Sequence, residues 1–334
     1  MAELTSTLEE ALSGQGRLVM LVGEPGIGKT RTTQELASYA ESRGEQVFWG
    51  RCYEDEGTPP YWPWVQTMRS YVQQASREQL TAEIGSGAAA IAEIVPEILG
   101  KLPGLETPPA LDPEAARFHL FDSITTFLKN AAQNQPLMMV LDDLHWADRS
   151  SLLLLEFLAR ELGEARILLV GCYRDTDLSR QHILTETLAQ LSREPVFRRQ
   201  VLRGLSQDDL GEFINLTTGV QLPQNLNDTL FAHTEGNPFF MTEIIRLLSE
   251  SGELTAEHIG TPEGIKIPAG VREVIGQRLN RLSERCNEVL TTASIIGREF
   301  DFRLLNILNG EIFEEQLLQS VQEAVSFHLI EEVP

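Results

Sequence analysis

Cysteine is scarce in this sequence, and its three cysteines (Cys52, Cys172 and Cys286) are widely spaced and odd in number. This set shows no pairing pattern, which argues against a disulfide framework or a cysteine-rich zinc site and for a reducing compartment. Long apolar runs are also missing, since stretches such as residues 152–155 are far too short to span a membrane. The N-terminus lacks the basic and apolar regions of a signal peptide. These absences predict a cytoplasmic protein.

Basic residues are few as well. The chain has 27 Lys and Arg residues against 49 Asp and Glu, which gives a formal net charge of -22. A surface this acidic repels phosphate backbones and anionic lipids, so we expect no direct binding to nucleic acid or membrane. The length of 334 residues exceeds that of most single domains and predicts two or three of them.

Short apolar runs alternate with helical patterns over the first two hundred residues. Because each run is apolar throughout, the alternation predicts an α/β fold with a five-stranded parallel sheet covered on both faces. After about Ser206 the periodicity is almost entirely helical, with a break at Pro262 and Pro268. The predicted strands are 17–22, 46–51, 137–141, 166–172 and 200–202; the predicted helices are 4–13, 29–42, 114–130 and 151–162, with a largely helical stretch at 64–100.

A glycine-rich loop between the first strand and the second helix carries the most specific motif. Its spacing, Gly-x-x-x-x-Gly-Lys-Thr, is that of a phosphate-binding loop in the context the motif requires. Glycines let backbone N–H groups turn toward phosphates, and the helix N-terminus adds partial positive charge. Lys29 would bridge the β- and γ-phosphates as a catalytic cation, and Thr30 would ligate Mg²⁺. The predicted nucleotide-binding residues here are Gly23, Glu24, Pro25, Gly26, Ile27, Gly28, Lys29, Thr30 and Arg31.

An acidic pair follows the third predicted strand. Asp142 would lie at the carboxyl end of the sheet and hold Mg²⁺, and Asp143 would act as the general base on the attacking water. Two acids that merely cap a buried strand are the alternative. Arg174 follows the fourth strand and is the candidate sensor of the γ-phosphate, if that strand lies between the other two; a salt-bridged surface arginine is the alternative.

These motifs resemble the STAND class of signal-transduction ATPases, within the AAA+ lineage. The closest likeness is to the ATPase module of large ATP-binding LuxR-type transcriptional regulators and of related cyclase- or kinase-fused proteins. The segments that carry the resemblance are residues 23–31, Gly50-Arg-Cys-Tyr, Pro59-Pro-Tyr-Trp-Pro-Trp, Ala116-Arg-Phe, Leu141-Asp-Asp-Leu-His-Trp-Ala-Asp, Gly236-Asn-Pro-Phe-Phe and Pro268-Ala-Gly-Val-Arg-Glu-Val-Ile.

The resemblance implies a layout of three domains. It places a P-loop nucleotide-binding domain at residues 1–205, a small helical domain at 206–265 and a partial winged-helix domain at 266–334. Pro238 matches the family's glycine-x-proline motif, whose proline packs against the adenine. The family's segment before the first helix and its winged-helix histidine are not matched. ATP rather than GTP is likewise implied by the resemblance.

The function expected from these features is that of a slow ATPase, which switches conformation between ATP and ADP within a larger signalling or transcriptional regulator. Its partners would be appended sensor or output domains, with homo-oligomer formation on activation. A nucleotide-dependent interaction scaffold with negligible turnover is the alternative. A third possibility, DNA binding through the winged helix, is disfavoured by the acidic charge balance.

Overall fold

The chain divides into two units, Met1–Leu202 and Arg203–Pro334. The computed structural model describes residues 1–54, 57–105, 111–176, 178, 182–218, 224–250, 279, 282–297, 300–310, 313–326 and 329–330. The predicted division at residues 265 and 266 lies outside the described residues.

The first unit is built on one sheet of five strands. All four strand pairings are parallel, and the strand order is β2-β3-β4-β1-β5. The carboxyl ends of β1, β4 and β3 are therefore neighbours at one edge of the sheet, where open α/β sheets bind their ligands. The strands are β1 (Arg17–Val22), β2 (Gln46–Arg51), β3 (Leu137–Asp142), β4 (Ile167–Tyr173) and β5 (Phe197–Val201).

Helices cover both faces of this sheet. On one face α1 and α2 bury Leu8 and Leu36 against strand residues such as Val140; on the other, α3 to α8 enclose a larger core that includes Trp64 and Phe127. The predicted α/β fold with a five-stranded parallel sheet is confirmed. The helices are α1 (Ala2–Leu12), α2 (Lys29–Ser42), α3 (Trp62–Gln74), α4 (Arg77–Ile84), α5 (Ala88–Ala92), α6 (Glu97–Lys101), α7 (Pro113–Asn134), α8 (Arg149–Glu161) and α9 (Ile183–Leu191).

The structure has three main differences from the sequence-based elements. The stretch predicted as largely helical at 64–100 is four separate helices, with a new start at Ser76, whose hydroxyl caps α4 by accepting a hydrogen bond from Gln79. Helix α9 was not predicted. Strand β5 covers Phe197–Val201 rather than 200–202, because this edge strand contains two arginines whose side chains bond outward to Glu10 and Tyr173.

All of the regular secondary structure that is described in the second unit is helical. Its first three helices are α10 (Gln207–Thr218), α11 (Gln224–Thr234) and α12 (Pro238–Glu250), which share a core around Leu210, Leu230 and Met241. The next three are α13 (Glu284–Ile296), α14 (Phe302–Leu308) and α15 (Glu314–Ser326), packed around Val289 and Leu305. In the described parts of both units, no helix combines the length and the apolar character needed to cross a bilayer.

Candidate nucleotide-binding site

The glycine-rich loop connects β1 to α2 at the carboxyl edge of the sheet. Gly26 and Gly28 have φ angles of 80° and 102°, in the left-handed region that favours glycine. A Cβ atom placed on Gly28 would meet no heavy atom within 4 Å, so this position faces open space in front of the α2 N-terminus. The loop therefore has the shape and the N–H environment that fit a bound phosphate group.

Lys29 is the first residue of α2, and its ammonium group folds over the loop. Its Nζ atom donates hydrogen bonds to the carbonyl oxygens of Gly23 (2.6 Å) and Glu24 (2.9 Å), and the residue is only 8% exposed. Burial lowers the pKa of Lys29, and the nearby positive charge of Arg174 lowers it further. A bound phosphate would supply negative charge that offsets both effects on Lys29.

Thr30 and Asp142 meet in front of the sheet. The Thr30 hydroxyl lies 3.4 Å from Oδ2 of Asp142, which is the last residue of β3 and is 6% exposed. Burial raises the pKa of Asp142, and the negative charge of Asp143 raises it further. A hydroxyl beside a buried carboxylate fits Mg²⁺, which in nucleotide sites takes one or two protein oxygens together with phosphate oxygens.

Asp143 combines an unusual backbone conformation with a buried, hydrogen-bonded side chain. Its backbone is left-handed (φ 57°, ψ 42°), which is uncommon outside glycine, and its side chain is only 8% exposed. Nε and Nη2 of Arg51 donate to its Oδ2 at 3.1 and 2.9 Å. Its other oxygen, Oδ1, lies 3.9 Å from Nη2 of Arg174 and 3.8 Å from Nε2 of His145, beyond hydrogen-bond distance. One side of the carboxylate is thus bonded to Arg51, and the other side faces two more distant nitrogen groups.

Arg51 is a residue of the site that sequence reasoning missed. It ends β2, paired in register with Asp142 of β3. Its backbone exchanges two hydrogen bonds with the amide of Gln66 on α3, at 3.2 and 3.0 Å. The close approach of α3 requires glycine at position 50, because a Cβ atom there would lie 2.0 Å from the carbonyl oxygen of Pro63. The only sequence signal was the matched Gly50-Arg-Cys-Tyr segment, to which no chemistry had been attached.

An open cleft of about 440 Å³ runs beside this cluster. Its lining includes Thr30, Asp142 and Arg51 together with Gln34, Trp49 and Gln66. The structure therefore brings the loop, the acidic pair, Arg51 and Arg174 to one edge of the sheet.

Two other predicted site residues are Arg31 and Pro238. Arg31 is exposed on α2 and forms an ion pair with Glu35 one turn along (2.5 Å). Pro238 is the first residue of α12 in the second unit, where the Asn237 side chain caps the helix by accepting from the N–H of Phe239. Nucleotide contacts by these two residues stay predictions.

The sequence pattern of the family described as AAA ATPase domain matches residues 1–170. The chain belongs to this family. The predicted AAA+ lineage is thereby confirmed, and the chain is an AAA+ P-loop ATPase module of a kind that binds nucleotide, typically with Mg²⁺.

Its relatives include an uncharacterized protein of Rhizobium meliloti (strain 1021), which is 24% identical over 317 residues, covering 89% of this chain and 29% of that protein. The chain thus spans less than a third of this relative. Among solved structures it is similar to a Signal Transduction ATPase with Numerous Domains protein with a tetratricopeptide repeat sensor from Pyrococcus horikoshii (12% identity, 96% of this chain, 38% of that chain, TM-score 0.43). It is also similar to Cdc6p from Pyrobaculum aerophilum (13% identity, 97% and 83%, TM-score 0.43) and to a RuvB variant from Thermotoga maritima (14% identity, 100% and 88%, TM-score 0.41).

Proposed function

We propose that this chain is the switch module of a multidomain signalling or transcriptional regulator, and that it binds ATP and hydrolyses it slowly. The observation that carries the proposal is the bond between Arg51 and Asp143. The proposed general base, Asp143, lies at the carboxyl edge of the sheet. Arg51 of the neighbouring strand β2 donates hydrogen bonds to one of its two carboxylate oxygens. Such an arrangement suits an ATPase whose turnover is restrained until another contact draws Arg51 away.

Each remaining residue has a proposed task in this reaction. Lys29 would leave its two carbonyl partners to bind the β- and γ-phosphates, and Arg174 would contact the γ-phosphate from the end of β4. Thr30 and Asp142 would hold Mg²⁺, which neutralises charge on the phosphate oxygens. Asp143 would orient a water molecule and take its proton, which requires its carboxylate to turn from Arg51 toward that water.

The switch itself would couple the nucleotide to the second unit. Pro238 is proposed to pack against the adenine, so that ATP and ADP would bias the position of the helical region differently. The signal would enter and leave through appended sensor or output domains, with homo-oligomers forming on activation. The protein is proposed to act in the cytoplasm, without direct contact with nucleic acid or membrane.

A nucleotide-dependent scaffold with negligible turnover is the second candidate. The same Arg51–Asp143 bond favours it if the bond is permanent, because the carboxylate would then stay fixed by β2 and could not turn toward the attacking water. The two candidates differ in whether loss of the Asp143 carboxylate changes the rate of phosphate release.

Hydrogen exchange tests the switch. Amide exchange over residues 203–334 would be measured by mass spectrometry with Mg²⁺ and either ADP or a non-hydrolysable ATP analogue. The proposal predicts that exchange in this region differs between the two nucleotides, and that the difference disappears in Lys29→Ala. Equal exchange with both nucleotides, in a protein shown to bind both, would contradict a switch while leaving the ATPase assignment intact.

A further inference from the structure

Gln66 lies near the start of α3 and has no role in the function proposed above. Its side-chain amide bonds to both backbone groups of Arg51: Oε1 accepts from the N–H at 3.2 Å, and Nε2 donates to the carbonyl oxygen at 3.0 Å. These are the two bonds that a further strand would supply at this position. One side chain thus completes the backbone hydrogen bonds of the residue that is bonded to Asp143.

Arg51 has these bonds on the open side of its strand. β2 is the outermost strand of the described sheet, with β3 as its neighbour on the other side. The N–H of the next residue, Cys52, donates to the carbonyl oxygen of Asp142 at 3.0 Å, so successive peptide groups alternate and those of Arg51 point away from β3. Gln66 therefore holds the backbone of Arg51 on the side where the sheet does not.

Gln66 is itself held by the start of α3. Trp64, two residues earlier, is fully buried, and its Nε1 donates to the carbonyl oxygen of Ser151 on α8 at 3.0 Å. The backbone of Pro63 lies against Gly50, where a Cβ atom would come within 2.0 Å of the Pro63 carbonyl oxygen. The first turn of α3 is thus fixed against both β2 and α8, and the Gln66 side chain starts from a fixed position.

The side chain of Arg51 depends on such support. It is 57% exposed, and its Nε and Nη2 donate to Oδ2 of Asp143. An ion pair this exposed is weak, because water competes for it and because a long side chain loses rotational freedom when it forms. A fixed backbone leaves fewer conformations to be lost, so the pair forms more often.

We propose that Gln66 is a positioning residue that keeps Arg51 bonded to Asp143 and thereby lowers the rate of ATP hydrolysis. The inference rests on the proposed restraint of Asp143 by Arg51. Any movement of α3 that breaks the two backbone bonds would release this restraint. Because the effect reaches the base, it falls on kcat and leaves the KM for ATP unchanged.

The test is steady-state phosphate release by the whole chain, measured over a range of ATP concentrations with Mg²⁺. Gln66→Met keeps the size of the side chain and removes both bonds, and it should raise kcat about two- to threefold with KM unchanged. The matched control is Gln135→Met, since Gln135 also donates to a backbone carbonyl, that of Gly44 at 2.9 Å, but at the other end of β2. This control should keep the kcat of the parent protein, and a role of Gln66 in stability alone would not raise kcat.

A double-mutant cycle with Arg51→Gln separates positioning from other effects of α3. Arg51→Gln alone should raise kcat, and adding Gln66→Met should then have no further effect on it. An equal rise from Gln66→Met with and without Arg51 would overturn the inference, because Gln66 would then act by another route.

The remaining outcomes distinguish the inference from the function on which it rests. If Arg51→Gln raises kcat and Gln66→Met does not, Gln66 has no positioning role and the proposed function stands. If neither variant raises kcat while Asp143→Asn lowers it, the restraint and the inference both fail and the ATPase assignment stands. Should Gln66→Met not fold, Gln66→Asn keeps the amide but is one methylene too short to reach both backbone groups; an unchanged kcat in that variant would also overturn the inference.

Discussion

The two ends of the sheet in the first unit hold their charged groups in different ways. At the amino end, Glu10 accepts short bonds from Arg17 (2.6 Å) and Arg198 (2.8 Å), and Glu9 pairs with Arg43 at 3.0 Å. At the carboxyl end, Oδ2 of Asp143 has a short bond from Arg51 (2.9 Å), whereas its Oδ1 lies 3.8 Å from His145 Nε2 and 3.9 Å from Arg174 Nη2. The charged groups at the amino end form short ion pairs, whereas those around Oδ1 of Asp143 at the carboxyl end lie farther apart.

The pKa values show the same contrast. The hydrogen bond from Arg17 lowers the pKa of Glu10, so the folded protein favours the charged form of that carboxyl group. Burial raises the pKa of Asp142 and lowers that of Lys29, so folding disfavours the charged form of both side chains. A bound phosphate with its cation would remove this penalty. Unfavourable burial of charged groups is typical of binding sites and not of structural ion pairs.

The largest expected effect that separates the two ends of the sheet is on nucleotide affinity. Lys29→Ala should lower the affinity for ATP about a hundredfold or more, since it removes a buried cation that pairs with phosphate. Lys101→Ala is the matched control, because Lys101 also donates to two backbone carbonyls, those of Gln73 and Ala75, but lies on α6. Calorimetric titration with ATP and Mg²⁺ gives both values. Similar losses in the two variants would mean that Lys29 matters only for folding.

Glu45 is the exception at the amino end, and it gives the next largest effect. It is 5% exposed, and burial raises its pKa to about 7. The folded protein thus takes up a proton relative to the unfolded chain between about pH 4.5 and 7, and this residue lowers the stability as the pH rises through that window. Glu45→Gln should therefore gain stability relative to the parent across this window, by about 2 kcal/mol. Chemical unfolding at pH 5 and pH 8 measures the gain; a constant difference would show that Glu45 does not titrate there.

The smallest effect comes from the closed ion pairs, and its pH dependence has the opposite sign. The pKa of Glu10 is lower in the folded protein than in the unfolded chain. Its contribution to stability is therefore complete above the pKa of the unfolded chain and is lost as the pH falls through the pKa of the folded protein. Glu10→Gln should cost about 1 kcal/mol at pH 7 and progressively less toward pH 3. The same unfolding series, with turnover measured in parallel, checks it. A loss of ATPase activity without a loss of stability would contradict the claim that the ion pairs at the amino end are structural.

Much of the carboxyl end could be predicted from the sequence, because its motifs are local. The bounds predicted for β1, α2 and β2 agree with the structure, and the predicted Thr30 and Asp142 do meet there. A loop, a helix start and a strand end are fixed by neighbouring residues. Apolar runs with glycine breaks are therefore enough to locate them.

The interactions that depend on strand order could not be predicted in the same way. Arg51 contacts Asp143 only because β2 pairs with β3, and no pattern in either segment predicts that pairing. Strand β5 is polar because its two arginines bond to Glu10 and Tyr173, which lie far away in the sequence, so no apolar run marked its bounds. The sequence therefore predicted the chemistry of the site but not the bond that restrains it.

The central claim is that Arg51 restrains an otherwise competent base, and steady-state phosphate release at saturating ATP tests it most directly. Arg51→Gln should raise kcat about three- to tenfold, as expected for the loss of a partly exposed ion pair. Asp143→Asn should lower kcat about a hundredfold, and the double variant should match Asp143→Asn. If instead the parent, Arg51→Gln and Asp143→Asn all release phosphate at the same rate, Asp143 is not a base and Arg51 restrains nothing.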